Sequence, residues 1–373
     1  MVPPVFPPRS IPPWGPPLDR HVVRAALARA AAWPRHGDGL AELVRDALGA
    51  GTGRWVAAPE DALLDALDRL RPGAVLAAPA WGASRWAGPL AAREVRWMEP
   101  ARHRLDPDKT RVAEAIAAGA NAVLLAPVAG DCASLLGVAD LCRAKEVTLL
   151  VDGRASAGGR VLDGPPTHRA DLALAPPDGE PAPGACGGAV LLGDPGPSDP
   201  PTRSLKHPAK LALDSLRTEP RLRRLVQTSD APCPCADAAP PWAFAAAAAR
   251  LQQAETRASQ RARHGRALRR IISHVEGIDL PPDPVGVQSA GGALGMLVER
   301  RREVVANLDA HGLPSLQSAL GWLAPGGSRG PLATQVSEQA LLLPLLPFYR
   351  PTDLDWIGET LRRATLRAVP EGL

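Results

Sequence analysis

The feature that most constrains the fold is a regular alternation of short apolar segments with amphipathic segments over the N-terminal two-thirds of the chain. The amphipathic segments repeat apolar residues at three- and four-residue intervals, which predicts helices over 60–70, 110–118 and 133–145. The apolar segments predict buried strands over 55–58, 74–77, 94–98, 122–126, 147–151, 171–175 and 189–192. Strands that alternate with helices in this way are typical of an α/β domain with a mainly parallel, seven-stranded sheet.

The last third of the chain predicts a smaller α+β domain. A Pro-rich stretch, with one helical pattern around 205–225, precedes a long helix and a set of shorter elements. The elements predicted after that stretch are a helix over 242–275, a strand over 287–298, a helix over 301–311, a strand over 340–346 and a helix over 352–367, N-capped by Thr352 with Asp355 three residues on. We therefore expect three regions: an N-terminal arm with a first helix (1–36), a large α/β domain (37–241), and a connecting helix with a small C-terminal α+β domain (242–373).

Charge and cysteine content narrow the classes of function. The 43 Lys and Arg residues against 39 Asp and Glu give a net charge of +4, which is too balanced to indicate a nucleic-acid-binding or membrane-binding protein. The many arginines between 250 and 270 lack neighbouring aromatic residues for base stacking, so they predict a solvated face or the rim of a dimer interface. The scattered cysteines and the absence of a long apolar run near the start predict a cytoplasmic protein with neither a disulfide framework nor a metal site.

Several short motifs occur in one order along nearly the whole chain. They are GDGLAELV at 37–44, PGAVLAAP at 72–79, LLVDGRA at 149–155, GGAV at 187–190, an alanine-rich stretch at 245–252, an Arg-rich segment ending in Gly at 299–312 and LLLPLLP at 341–347. Together they resemble the DegT-type (DegT/StrS) sugar aminotransferases, which are fold-type I PLP-dependent transferases. The resemblance implies that fold, and a dimer in which the large domains pack together.

The resemblance also implies where a cofactor would bind. Such enzymes hold PLP through a Schiff-base lysine, an acid at the pyridinium nitrogen, an aromatic ring against the pyridine and a phosphate cup at a helix N-terminus. Asp152, at the end of an apolar predicted strand, matches the acid. Trp81, or else Trp86, is the candidate ring.

The other cofactor groups depart from the family's pattern. The expected lysine position falls near Glu180, and no lysine lies between Lys145 and Lys206. The phosphate turn aligns with 58–60, where Glu60 places negative charge at a helix start and would repel a phosphate. The sequence thus yields no catalytic residue, and with Asp152 and Trp81 as remnants of the site we expect no bound cofactor.

Three interpretations are compatible with these residues. The first is a non-catalytic homologue in a sugar or specialised-metabolite pathway, which forms a homodimer or a heterodimer with an active aminotransferase paralogue. The second is a PLP-dependent sugar aminotransferase whose lysine comes from elsewhere, with Lys206 and Lys210 as candidates. The third is a cofactor-free enzyme that reuses the old cleft, with acids and bases drawn from Asp152, Glu60, His36 and His168.

Overall fold

The computed structural model describes residues 53–56, 59–83, 86–162, 164–168, 170–175, 189–192, 241–283, 285–313, 315 and 320–368. The predicted N-terminal arm, the helical pattern around 205–225 and the position near Glu180 lie outside these residues, as do His36, Lys206 and Lys210. None of the described helices is both long and apolar enough to cross a membrane.

Fourteen strands and eight α-helices fall within the described ranges. The strands are β1 (Gly53–Val56), β2 (Leu76–Pro79), β3 (Trp81–Ala83), β4 (Val95–Met98), β5 (Ala122–Leu125), β6 (Thr148–Asp152), β7 (Arg160–Val161), β8 (Leu172–Ala175), β9 (Ala189–Leu192), β10 (Ile278–Asp279), β11 (Val287–Gln288), β12 (Ala293–Val298), β13 (Leu320–Trp322) and β14 (Ala340–Pro344). The helices are α1 (Pro59–Asp68), α2 (Ala87–Ala91), α3 (Lys109–Ala117), α4 (Val138–Ala144), α5 (Pro241–Ile272), α6 (Arg301–Ala310), α7 (Pro331–Gln339) and α8 (Pro351–Ala368).

Seven of the strands form one central sheet in the order β1-β9-β8-β6-β5-β2-β4. The pairing is parallel from β8 across β6, β5 and β2 to β4, whereas β9 runs antiparallel to both β8 and β1. Each of the seven predicted strands overlaps one of these observed strands. The predicted α/β class with a mainly parallel sheet is therefore confirmed.

Helices cover both faces of the central sheet, because successive residues of a strand point to opposite sides. Leu124 of β5 belongs to a buried cluster with Leu63 and Leu67 of α1 on one face. Its neighbour Val123 belongs to a second cluster with Val112 of α3 on the other face. Since the parallel strands are buried on both faces, their carboxyl ends form the edge at which side chains can meet a ligand.

Helix α5 leads to a three-stranded antiparallel sheet in the order β10-β12-β14. Its residue Ile272 shares a core with Met296 of β12, Leu341 of β14 and Ile357 of α8. Helix α6 contributes Leu308, which is fully buried in the same core. The predicted smaller α+β unit is thus present in the C-terminal third.

Two details of that unit correct the sequence predictions. The single strand expected over 287–298 is instead β11 and β12, because the chain turns at Gly291, whose φ of +64° is one that side chains rarely adopt. The two strands then pair with different partners, β7 and β14 respectively. The last helix begins at Pro351, so Thr352 is not its N-cap, and the carboxylate of Asp353 instead accepts the backbone N–H of Arg350 at 2.8 Å.

Candidate functional site

Asp152 is the last residue of β6, which lies between the parallel strands β5 and β8. The residue is 7% exposed, so its carboxylate is held at the carboxyl edge of the sheet and largely removed from water. The chain then turns sharply through a single 3-10 turn, Arg154–Ser156. Gly153 allows this turn, since a Cβ there would lie 2.5 Å from Cγ2 of Thr167.

Arg154 binds the Asp152 carboxylate in a two-pronged ion pair. Its Nε donates to Oδ1 at 2.9 Å and its Nη2 donates to Oδ2 at 3.0 Å, while its backbone N–H also donates to Oδ1 at 3.2 Å. The Arg154 side chain is 12% exposed and that of Asp152 is 8% exposed. Parallel hydrogen bonds between a guanidinium and a carboxylate are among the strongest in proteins, and burial strengthens them further.

Trp86 completes the set of groups around Asp152. Its indole Nε1 donates to Oδ2 of Asp152 at 3.1 Å, and the residue is fully buried just before α2. The guanidinium carbon of Arg154 lies 4.4 Å from the centroid of the Trp86 ring, which is a cation–π contact. Asp152, Arg154 and Trp86 therefore contact one another pairwise, and we refer to these three residues as the Asp152 triad.

Trp81, the other candidate ring, lies elsewhere in the core. It is 4% exposed in β3, where it pairs with Trp322 of β13, and it belongs to a cluster with Leu105 and Leu342. Trp86 belongs instead to the cluster beneath the central sheet. Of the two tryptophans, Trp86 is thus the one that touches Asp152, and a stacking role for Trp81 stays a prediction.

The remaining predicted acids and bases do not join this triad through any described hydrogen bond. Glu60 is half-buried in the first turn of α1, where it and the exposed Asp61 suit the positive end of the helix dipole. His168 is exposed on the surface after β7.

Cys132, in the loop after β5, is fully buried, and burial raises the pKa of its thiol to about 12, so it remains a neutral thiol.

The loops after β5 and β6 approach each other closely at Gly130. A Cβ at this residue would overlap the carbonyl oxygen of Ala155, and its φ of +77° also favours glycine. The neighbouring residues Ala129 and Ala155 bring no polar side chain to the site. In the described part of the chain, no group of three or more His, Cys, Asp or Glu residues could hold a metal ion.

The sequence points to Asp152 but not to Arg154, which binds both oxygens of the Asp152 carboxylate. The spacing of two residues at a strand end does carry a signal, because an arginine just past a strand-terminal acid can fold back onto it. Nothing in the sequence links either residue to Trp86, which lies 66 positions before Asp152. That contact depends on the packing of α2 against the sheet.

The sheet order, the single antiparallel strand β9 and the smaller C-terminal α+β unit define the fold-type I aminotransferase fold. Solved structures that share this fold are DegT/StrS-type sugar aminotransferases, as the sequence motifs predicted. No family model matches the sequence, and a search of curated proteins finds no match.

Three of these solved structures illustrate the similarity. The aminotransferase TlmJ from Streptoalloteichus hindustanus is 18% identical, with 96% of this chain and 99% of that chain covered at a TM-score of 0.70. A DegT DnrJ EryC1 StrS aminotransferase from Brucella abortus is 18% identical over 92% of this chain and 95% of that one, at 0.66. Spr1654 from Streptococcus pneumoniae, designated a sugar aminotransferase and solved in its PLP form, is 14% identical over 97% and 100%, at 0.69. At such identities the similarity establishes the fold alone.

Proposed function

We propose that this chain is a non-catalytic homologue of the sugar aminotransferases, in which Arg154 permanently fills the position of the cofactor ring. It acts by binding a protein partner, either a second copy of itself or an active aminotransferase paralogue in a sugar or specialised-metabolite pathway. PLP is the cofactor that the fold implies, and where bound it supplies an electron sink for amino-group transfer.

The Asp152 triad is the observation that carries this proposal. A bound pyridinium ring needs a carboxylate oxygen at its nitrogen and an aromatic face against its plane. Arg154 is itself a planar cation that pairs with both oxygens of Asp152 and stacks on Trp86. It therefore satisfies, from within the chain, the same two contacts that a cofactor ring would make.

Displacing Arg154 would be costly. A ring that pairs with Asp152 would first have to release Arg154 from its two hydrogen bonds to the carboxylate and from its contact with the Trp86 ring. A ring entering between Asp152 and Trp86 would also have to replace the indole hydrogen bond. The described residues therefore do not fit PLP, and we derive no reaction step through it.

A second part of the site supports the same proposal independently. Helix α1 carries Glu60 and Asp61 in its first turn, and its first residue, Pro59, has no backbone N–H to offer a phosphate. Both acids oppose the approach of a dianion. The sequence gives further support, because the position at which the resemblance implies a Schiff-base lysine falls near Glu180 and holds no lysine.

The pattern of what is kept also favours a binding role. Gly130 and Gly153 meet steric requirements of this chain's own backbone, since a Cβ at either residue would overlap a neighbouring atom. Ala129 and Ala155, beside this close approach of the two loops, carry no polar group that could bind a cofactor. A chain selected for folding and association would show this difference between the two sets of positions.

Reductive trapping tests the absence of cofactor chemistry. Purified protein is mixed with excess PLP, reduced with borohydride, and examined by intact mass and peptide mapping. We expect no stoichiometric pyridoxyl adduct at a single lysine. A stoichiometric adduct at Lys206 or Lys210 would overturn the proposal in favour of a PLP-dependent enzyme with a relocated lysine.

Association is tested separately by sedimentation velocity at micromolar protein. We expect a dimer, because enzymes of this fold build their sites across a two-fold interface of the large domains. A purely monomeric chain would exclude the homodimer, and mixing it with the product of an adjacent intact aminotransferase gene then tests the heterodimer. Monomer in both experiments would contradict the proposed role.

A further inference from the structure

Helix α5 carries many arginines and, over most of its second half, no acid. Residues 256–275 contain six arginines and neither Asp nor Glu. Three of these arginines, Arg263, Arg266 and Arg270, are exposed in the folded chain, whereas the other three are buried or half-buried. The exposed three are separated by three and four positions, so they share one face of the helix. We refer to these three residues as the α5 arginine row.

None of the three guanidinium groups has an acidic partner in the part of the chain that the structure describes. Arg263 and Arg266 form no side-chain hydrogen bond or ion pair there, and Nε of Arg270 donates to the backbone carbonyl oxygen of Arg266 at 3.4 Å. The exposed Asp283 lies on the same part of the surface as Arg266 but forms no ion pair with it. Because like charges three or four positions apart destabilise a helix, the row costs the folded chain stability.

Four other helices pair an arginine with an acid one turn away. These pairs are Asp65–Arg69 on α1, Arg111–Glu114 on α3, Asp140–Arg143 on α4 and Glu359–Arg362 on α8. A helix face that serves only solubility mixes the two signs of charge in this way. The α5 arginine row differs, since its positive charge is not compensated along the helix.

The dipole of α5 explains only one member of the row. Cations are favoured near the C-terminal end of a helix, and the effect is limited to the last turn. Arg270 lies in that turn, because α5 ends at Ile272. Arg263 and Arg266 lie before it, so their uncompensated charge requires another cause.

The row has the geometry of a docking site for a second helix. At a rise of about 1.5 Å per residue, Arg263 and Arg270 lie about 10 Å apart along the helix axis. Ile271 is 40% exposed, and helical spacing places it on the opposite side of the row from Arg266. A helix whose acids are spaced by three and four residues can pair with all three arginines while an apolar side chain contacts Ile271.

The described residues of a second copy do not supply such a helix. On α1, the described helix with the most acids, Asp65 and Asp68 already pair with Arg69 and Arg93. No described helix carries three unpaired acids on one face. The row also lacks the aromatic side chains on which nucleic-acid bases stack, since no Phe, Tyr or Trp occurs over 256–275. A different protein with an acidic helix fits it best.

We propose that the α5 arginine row binds an acidic helix of a different protein, with carboxylates spaced by three and four residues that pair with Arg263, Arg266 and Arg270. The inference goes beyond the proposed function and does not depend on it. The row is exposed whether or not the Asp152 triad excludes a cofactor.

The probes are two fluorescein-labelled, alanine-rich peptides of about 20 residues, which is long enough for a helix to form. One peptide carries three glutamates spaced by three and four residues, and the other has glutamine at the same positions. Fluorescence anisotropy follows their binding to the full-length protein. We expect the glutamate peptide to bind about tenfold tighter at low salt, the combined effect of three exposed ion pairs. The difference should shrink as salt is added.

A matched pair of triple variants separates the row from the net charge of the protein. The α5 variant is Arg263→Gln/Arg266→Gln/Arg270→Gln, and its control is Arg71→Gln/Arg102→Gln/Arg302→Gln, which removes three exposed arginines outside α5. The α5 variant should bind the two peptides equally, whereas the control should keep the preference of the parent. All the replaced side chains are exposed, so both variants are expected to fold normally, as far-UV circular dichroism can check.

Equal binding of the two peptides by the parent, a preference that survives in the α5 variant, or the same loss in the control would each overturn the proposal. Two further measurements test other occupants. An oligothymidylate that binds more tightly than the glutamate peptide, and is lost in the α5 variant alone, would assign the row to nucleic acid. A dimer that dissociates in the α5 variant but not in the control, by sedimentation velocity, would assign it to a second copy. Either result would also overturn the proposal.

Discussion

Two arginines of this protein, Arg154 and Arg266, illustrate opposite ways of placing a cation beside an apolar surface. Arg154 is buried, pairs with Asp152 through two parallel hydrogen bonds and stacks on an indole. Arg266 faces an open groove and has no described partner for its guanidinium. Because Asp152 already pairs with the Arg154 guanidinium, a ligand would gain little binding energy from contacting that arginine.

The largest expected effect contrasts the two arginines directly. Arg154→Ala should lower the free energy of unfolding by about 3–5 kcal/mol, because it removes one partner of a buried ion pair. Arg266→Ala should change it by no more than about 0.5 kcal/mol, as is usual for an exposed residue. Urea denaturation followed by far-UV circular dichroism measures both, and similar values for the two variants would contradict the comparison.

The double variant Asp152→Ala/Arg154→Ala sharpens that result. The double variant removes both charges together. Its loss in the free energy of unfolding should therefore be smaller than the sum of the losses in Asp152→Ala and Arg154→Ala. Strict additivity would show that the two side chains do not interact in the folded protein.

A smaller effect is expected from the backbone turn that brings Arg154 back onto Asp152. Gly153→Ala places a Cβ 2.5 Å from Cγ2 of Thr167 and should cost about 1–3 kcal/mol of stability through overpacking. Adding Thr167→Ser removes the obstructing methyl group and should restore most of the loss. If Thr167→Ser gives no recovery, the steric account of this turn is wrong.

Chemical rescue tests whether the space occupied by Arg154 is specific for a planar cation. Methylguanidinium at millimolar concentration should raise the melting temperature of Arg154→Ala, since a ligand that binds only the folded state stabilises it. It should leave the parent protein unaffected, because the position is filled. Methylammonium serves as the control cation without a planar face, and equal rescue by both ions would reject specific recognition.

A further effect concerns Asp106, a buried acid whose carboxylate accepts the backbone N–H of Val128. Burial, together with the charge of Asp131, raises the pKa of Asp106 well above its usual value. An acid whose pKa is raised on folding contributes most to stability below its unfolded pKa, and that contribution is lost as the pH rises through the folded value. Asp106→Asn should therefore become more stable relative to the parent as pH increases from acidic to neutral, as thermal melts can show. The exposed control Glu276→Gln should show no such trend.

Much of the fold could be predicted from the sequence, because apolar periodicity directly reflects burial. All seven central strands were located from short apolar segments, and the ordered motifs indicated the fold-type I arrangement that the solved structures confirm. The errors came from local backbone geometry. The chain turns at Gly291, between β11 and β12, and the last helix begins at Pro351, with the Asp353 carboxylate accepting the backbone N–H of Arg350.

The candidate site was less predictable, since its contacts join distant parts of the chain. Asp152 was found because it ends a strand, which is a local feature. Arg154 and Trp86 could not be assigned to it from sequence, because the direction in which each side chain folds depends on tertiary packing. The same holds on α5, because only the folded helix separates buried Arg261 from exposed Arg266.

We propose that Arg154 occupies the position that a cofactor ring would take. A crystal structure of the protein grown with excess PLP tests it most directly. The account predicts the guanidinium of Arg154 on the Asp152 carboxylate, stacked on Trp86, with no pyridine ring between them. A pyridine ring bound at Asp152, with Arg154 rotated away from it, would contradict the account.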